Sequence, residues 1–350
     1  MRNERRIGVD IVGFGPIGRK LAEILASDDR LRRSFRVSSI SDSSGFFAPR
    51  NASDVLMAVK SKESGRKISE IKGALPGRDK TSPGASDANV LFDVTNSDYS
   101  KPDEARDRAY SALRSGRHLI SANKVALSYY FPEILDYARR KGLEVGYGAT
   151  ICGGRNAIVI AKNIGGEEEI IEAGAVLNAS TTLILSSLEE NASLTFEAAC
   201  EIAAKTGVLE SEWSIDLDGI DAAAKTAILS NVLFPMSKAT FPKVKREGIR
   251  SESVRALLRS QRQGTEGRVR PGVVRLVSEI TPQKCSVSPH MVNRSSALAV
   301  EGRFNAVSFQ TKSLGEISVK NLGGGVDLTA SVLISDLKRI ASRVSKNSLQ

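Results

Sequence analysis

At 350 residues, 41% hydrophobic and 26% charged, the chain has ordinary globular composition and the length for two or three units, each with its own core. Cys152, Cys200 and Cys285 lie too far apart for a disulfide framework or a CxxC zinc pattern, and with only His118 and His290 a Ser/His/Asp hydrolase or multi-histidine metal site is disfavoured, which leaves acid–base work to Lys, Asp or Glu. The net charge of +10 comes with modest basic clusters at 30–36 and 255–270 and only 5% aromatic residues, the pattern of a solvated basic face and not of a nucleic-acid platform.

Residues 6–13 (RIGVDIVG) form an apolar strand, and PIGRKLAEILAS behind it places Ile17, Leu21, Ile24 and Leu25 at helical spacing. Between them, GFGPIG supplies Gly13, Gly15 and Gly18, with Pro16 and Ile17 inside the turn. Glycines at these positions permit a tight turn and let backbone N–H groups approach a pyrophosphate at a helix N-terminus, so the five residues are candidate cofactor ligands. A second strand at 35–42 (FRVSSISD) ends on Asp42, the spacing at which an acidic residue meets a ribose. Asp42 favours NAD, whereas Ser43, Ser44 and Arg50 would receive the 2′-phosphate of NADP; this choice stays open. A polar stretch with helical pieces near 53–61 and 66–73 follows, then a strand at 89–95 (NVLFDVT), a helix at 101–115 stopped by Gly116, a strand RHLISA, a helix at 128–141 and a strand LEVGYGAT. Thr95, Asn96, Ser121, Ala122 and Lys124 fall at carboxyl ends of strands, where open α/β sheets bind ligands. Strands alternating with helices predict an α/β fold: an N-terminal Rossmann-type doubly wound parallel sheet over 1–150.

From about residue 152 the rhythm changes to strands near 170–177 and 272–280 with helices near 181–189, 194–205 and 219–233, a second α+β domain for substrate binding and dimerisation over 151–320. The amphipathic helix 328–344, in a segment spanning 321–350, is expected to return to the nucleotide-binding domain. In IDLDGIDAAAKTAILSNVLF, Asp221 and Lys225 stand at i and i+4 on a face that continues into Ile228, Leu229 and Val232. Such a pair is either an exposed helix-stabilising bridge or a buried, chemically tuned one.

Read in order, GFGPIG, DVT, GRHLISANK, LNASTT, GVLESEW, DLDGIDAAAK, REGIR, FNAVSFQT and NLGGGVDLTAS resemble homoserine dehydrogenase over nearly the whole chain. The resemblance implies reversible NAD(P)-dependent reduction of L-aspartate 4-semialdehyde to L-homoserine. It implies that Lys225 and Lys124 handle the proton, that Asp221 and Glu210 bind the substrate's amino and hydroxyl groups, and that Asp216, Ser180, Thr181 and Tyr147 also meet the substrate. Gly324 in the loop 323–325 and Thr329 would lie against the cofactor, the glycines permitting close approach. Where the family carries a glutamate this chain has Gly148, which leaves the backbone carbonyls of Ile151 and Gly153 as candidate oxygens for a monovalent cation such as sodium. Asn156, Ala179 and Thr182 also depart from the family's usual proline, glycine and asparagine.

The length leaves no room for kinase or regulatory extensions, so a stand-alone enzyme, paired as a homodimer, is expected. No apolar run of about 18 residues is present to span a bilayer and the start lacks an apolar signal core, so the expectation is a cytoplasmic protein with neither membrane nor nucleic acid as partner. Two rivals remain: a related Rossmann dehydrogenase for another small amino acid or aldehyde, and a non-catalytic cofactor-binding protein.

Overall fold

The computed structural model describes residues 6–77, 87–151, 169–209, 212–263 and 272–347, together with Val159 and Asn163. Two compact units are present, Met1–Thr150 with Val326–Gln350, and Ile151–Gly325.

In the first unit β1 (Ile7–Val12) is buried along nearly its whole length, which is why its sequence is apolar without alternation. Asp10 is the polar exception, and it is satisfied inside the sheet by Arg117 at 2.7 Å and Ser39 at 2.6 Å. Helix α1 (Pro16–Ser27) turns Leu21, Ala22 and Leu25 into the core, and α2 (Asp29–Ser34) is capped by the Asp28 carboxylate, which accepts from two backbone N–H groups. Strand β2 (Phe35–Asp42) pairs parallel to β1, while β3 (Gly45–Phe47) and β4 (Leu75–Pro76) extend the edge in antiparallel pairing. Helix α3 (Ala52–Glu63) matches the first of the two helical pieces expected there. The second shrinks to a single 3-10 turn, Ile68–Glu70, because Gly73 at φ 88° ends it and only Ile68 and Ile71 are buried to anchor it.

Strand β5 (Val90–Asp93), α4 (Pro102–Arg114), β6 (His118–Ser121), α5 (Lys124–Arg140) and β7 (Val145–Gly146) complete two further parallel crossovers. Helix α5 starts four residues earlier than its apolar periodicity indicated, since the Asn123 side chain caps it by accepting from the Val125 N–H. Pro132, which has no N–H to donate, accompanies a break at Tyr130. The sheet order is β4-β3-β2-β1-β5-β6-β7, so the strand order reverses beside β1. The long helix Val326–Asn347 packs on α1, and its Leu333, Leu337 and Ile340 share one buried cluster with Val9, Ile11, Leu21 and Leu25.

The second unit is a six-stranded sheet of β8 (Ile170–Val176), β9 (Lys245–Arg246), β10 (Val273–Ile280), β11 (Cys285–Val292), β12 (Phe304–Thr311) and β13 (Gly315–Leu322), in the order β13-β12-β8-β10-β11-β9. It is antiparallel apart from the β11–β9 pair. Helices α6 (Ala179–Glu190), α7 (Phe196–Lys205), α8 (Trp213–Leu217), α9 (Ile220–Leu233) and α10 (Glu252–Gln263) belong to it, with α6 and α9 packed on β10. Arg275 of β10 is fully buried and paired with Glu189 of α6 at 3.0 Å, an ionic tie between sheet and helix.

Candidate active site

The three glycines of GFGPIG have three different physical reasons to be glycine. Gly13 has φ 99°, and a Cβ there would fall 2.6 Å from the Val94 carbonyl; a Cβ on Gly18 would fall 2.1 Å from the Gly13 oxygen, so the first turn of α1 packs directly on the loop. Gly15 differs, because a Cβ there would meet no protein atom within 4 Å. It caps α1 without a side chain, Pro16 follows in the first turn, and no acidic residue stands in that turn to compete for the helix N-terminus. Open space over Gly15, a positive helix end and a sheet whose order reverses at β1 together fit a dinucleotide pyrophosphate. A cavity of about 430 Å³ lies there, lined by Gly13, Gly15, Asp42, Ser43, Thr95 and Asn96 among others.

At its ribose side Asp42 is already engaged. Its Oδ1 accepts from the Ser44 N–H at 2.8 Å and the Ser44 hydroxyl at 2.5 Å, and its Oδ2 binds the Lys62 ammonium from α3. Burial opposes ionisation of this carboxyl, but the hydrogen bonds from Lys62 and Ser44, with the charge of Lys62, outweigh it and hold Asp42 below the usual carboxylate range. Arg50 is not part of this cluster; it stands exposed beside Asp54. Lys62 was not visible as a site residue in the sequence, because twenty residues separate it from Asp42 and only the packing of α3 joins them.

Thr95 is fixed from three sides: its hydroxyl donates to Asp93 at 2.6 Å and accepts from Asn123 at 2.9 Å and Arg108 at 3.1 Å. The Asn123 amide also donates to the Asn96 carbonyl at 2.9 Å, and the Ser121 hydroxyl donates to the Asn123 carbonyl at 2.8 Å. Ala122 donates its N–H to Asp93. Lys124 opens α5, its N–H donating to the Ser97 hydroxyl. Asn123 and Arg108 therefore fix Thr95, which lines the cavity, and neither was singled out from the sequence. Tyr147 is buried in this unit with its ring edge-on to Phe131 at 5.1 Å, and Thr329 lies half-buried in the first turn of the long final helix.

In the second unit Asn178 is the organising residue. Its Oδ1 accepts from the Thr181 N–H at 2.8 Å and so caps α6, while its Nδ2 donates to Asp216 at 2.6 Å and to Asp221 at 2.9 Å. Gly219, at φ 72°, makes the left-handed entry to α9 that puts Asp221 in its first turn. Asp221 and Lys225 are 2.6 Å apart, with side chains only 5% and 15% exposed, so the pair is the buried alternative and not a surface bridge. Lys225 also donates to the Leu177 carbonyl at 2.9 Å, at the end of the segment that leads into α6. Ser180 donates to the Val208 carbonyl at 2.6 Å and Thr181 to the Asn178 carbonyl at 3.0 Å. The triglycine loop rests on the same place: a Cβ at Gly323 would lie 2.8 Å from the Ala179 Cβ and 2.4 Å from the Asn305 amide, and Gly324 has φ 72°. Asn178 stands inside LNASTT, but it carries no charge and no spacing to a partner, so the sequence pattern pointed to its neighbours Ser180 and Thr181 instead. Of the other candidates Ile151 is buried, and Glu210 and Gly153 lie outside the described residues.

The second unit's constellation offers hydrogen-bonding groups to a small polar molecule beside a buried ammonium, and the first unit has the glycine loop and sheet order of a dinucleotide-binding fold. A family model described as homoserine dehydrogenase matches residues 158–337. The homoserine dehydrogenase of Methanocaldococcus jannaschii is 31% identical over 343 residues, covering 96% of this chain and 99% of that protein. That of Pyrococcus horikoshii is 33% identical over 341 residues, covering 95% and 96%. The chain belongs to the homoserine dehydrogenase family. A solved hyperthermophilic archaeal homoserine dehydrogenase in complex with NADPH is 32% identical, with a TM-score of 0.79 over 97% of this chain and 98% of that one. Membership in the homoserine dehydrogenase family makes the chain an oxidoreductase that acts on a CH–OH group with a nicotinamide dinucleotide, on the α/β fold expected. The rival readings gain no support from these comparisons. No helix among the described residues is long and apolar enough to cross a membrane.

Proposed function

We propose that Lys225 is the proton-handling group in a reversible NAD(P)-dependent interconversion of L-aspartate 4-semialdehyde and L-homoserine. The observation that carries this reading is the buried Asp221–Lys225 pair anchored through Asn178. The dinucleotide, when bound, supplies or takes up the hydride. In reduction, Lys225 gives its proton to the carbonyl oxygen of the aldehyde as negative charge develops there; in oxidation the same nitrogen takes the hydroxyl proton. Asp221 holds that nitrogen in place, as does the Leu177 carbonyl. Lys124 is the second lysine of the reaction. Glu210, Asp216, Ser180 and Thr181 bind and orient the substrate's polar groups, and Tyr147 is a further substrate-binding residue in this reading.

Gly13, Gly15, Gly18 and the N-terminus of α1 hold the pyrophosphate, with Thr95, Asn96, Ser121 and Ala122 beside the nicotinamide half. Because Lys62 and Ser44 already occupy both oxygens of Asp42, the ribose end presents a compensated charge and accepts NADP as well as NAD. The second sheet is the dimerisation surface, a reading supported by Ile171, Phe304 and Leu322 standing exposed on it. Light scattering in solution tests it. The cytoplasm is the compartment where nicotinamide-dependent amino-acid synthesis proceeds, and it is assigned here on that ground.

Oxidation of L-homoserine followed by cofactor absorbance, with NAD and NADP in parallel, tests the reaction. Lys225→Ala is expected to lower kcat by roughly 10² or more, the scale of a lost general acid, with cofactor affinity unchanged. Near-wild-type turnover in that variant removes Lys225 from the mechanism.

A further inference from the structure

A cavity of about 380 Å³ in the second unit belongs neither to the cofactor cleft nor to the Asn178 cluster. Its walls are apolar: Leu188 of α6, Phe196 and Cys200 of α7, Trp213 and Leu217 of α8, and Val254 and Leu258 of α10 with Ile249. Burial pushes the Cys200 thiol up to about 11, so it lines the cavity as a neutral, weakly polar atom. The charged groups lining the cavity are Glu197, Arg250 and Arg255. Arg250 is paired with Asp218 at 3.4 Å and Arg255 with Glu252 at 3.3 Å; both pairs are solvent-exposed, worth little, and readily exchanged for a ligand's carboxylate. The volume lies in the range of about 300–1,000 Å³ typical of small-molecule sites, and an apolar void of this kind binds an apolar group in preference to water.

We propose that this cavity is a second ligand site, for an α-amino acid with a branched aliphatic or aromatic side chain. The side chain fills the apolar interior, the carboxylate meets Arg250 and Arg255, and the ammonium meets Glu197. A rim carrying both signs fits a zwitterion better than it fits a simple acid or amine. The site is coupled to the substrate cluster through two shared elements. Helix α8 presents Trp213 and Leu217 to the cavity and Asp216 to Asn178, and α6 presents Leu188 to the cavity and is capped by Asn178. Occupation shifts α8 and therefore the affinity for substrate, a readout that rests on the proposed function, whereas binding itself does not.

Trp213 is the chain's single tryptophan, so intrinsic tryptophan fluorescence reports this cavity directly. The full-length protein is titrated with L-leucine and L-phenylalanine, with glycine and 4-methylpentanoate as probes lacking the apolar body or the ammonium, and again in saturating L-homoserine. The expected result is a saturable change with leucine or phenylalanine that survives homoserine. It is about ten-fold weaker or more with each control and in Arg255→Glu, a surface substitution that spares the fold. The KM for L-homoserine changes when the site is filled in the wild type and not in Arg255→Glu. No saturable change, a change that Arg255→Glu leaves intact, or one that homoserine competes away overturns the site. Binding with an unaltered KM overturns the coupling through α8. If homoserine is not oxidised at all, the reaction assignment fails while the fluorescence titration still decides the cavity.

Discussion

Replacing Asn178 with serine separates two tasks that one side chain performs. Serine is about as good an N-cap as asparagine, so the start of α6 keeps its bond to the Thr181 N–H. What is lost is the amide donor that serves Asp216 at 2.6 Å and Asp221 at 2.9 Å, both buried residues. A hydrogen bond to a charged group contributes about 1.5–3 kcal/mol. Only the bond to Asp221 bears on Lys225, and at about 1.4 kcal/mol per decade its loss corresponds to roughly a 10- to 150-fold fall in kcat/KM for L-homoserine. The two bonds together, about 3 kcal/mol or more, lower the melting temperature by roughly 6–12 °C for a unit of this size. Asn178→Ala loses the cap as well, a further cost of about 1 kcal/mol, with little additional effect on turnover. Steady-state kinetics and thermal unfolding on the three proteins are the assay. If Asn178→Ser turns over like the wild type, Asn178 does not position Asp221 for catalysis and the reasoning is wrong.

Gly15→Ala and Gly18→Ala should diverge: the first leaves the melting temperature unchanged and weakens cofactor binding, because its Cβ enters space the protein leaves open, while the second lowers the melting temperature because its Cβ collides with the Gly13 carbonyl. Calorimetric titration with NADP, alongside unfolding, checks both. Lys62→Ala uncovers the Asp42 charge, so the ratio of NADP to NAD affinity should fall by about ten-fold, read from KM values for the two cofactors. The β6–β7 edge should give the protein an acid-side sensitivity. Burial lowers the His118 pKa below its ordinary 6.5, more than Glu144 raises it, and the neutral ring accepts the Glu144 N–H at 2.9 Å. The unfolded chain therefore binds the extra proton first, and this stability is complete above about pH 6.5 and fades as pH falls through the folded value. Melting temperatures between neutral and mildly acidic pH should drop less in His118→Gln than in the wild type.

Much of the first unit was legible because its glycines, its buried parallel strands and its crossover helices each leave a strong local pattern. β1, α1 and β2 stand where their periodicity put them. β3 and β4 escaped because strands of three and two residues at a sheet edge carry no period to read. The second sheet was read only in part. β13 alternates half-buried and exposed positions with little apolar content, and α10 is so polar that only Val254, Leu258 and Gln261 are buried in its described part. Asp221 and Lys225 were singled out by spacing and resemblance, whereas Asn178 and Asn123, although inside LNASTT and GRHLISANK, and Lys62 stood out only through tertiary contacts. Uncharged hubs and long-range ion pairs have no linear signature.

The first unit's core is discontinuous in the chain, and this sets an order on folding during synthesis. Leu333, Leu337 and Ile340 fill the same cluster as Val9 and Ile11. Residues 6–150 therefore leave the ribosome with one flank of α1 bare, and it stays bare while the whole second unit is made. The second unit, continuous from Ile151 to Gly325, can complete its core before the first does, so residues 6–150, made before it, settle after it.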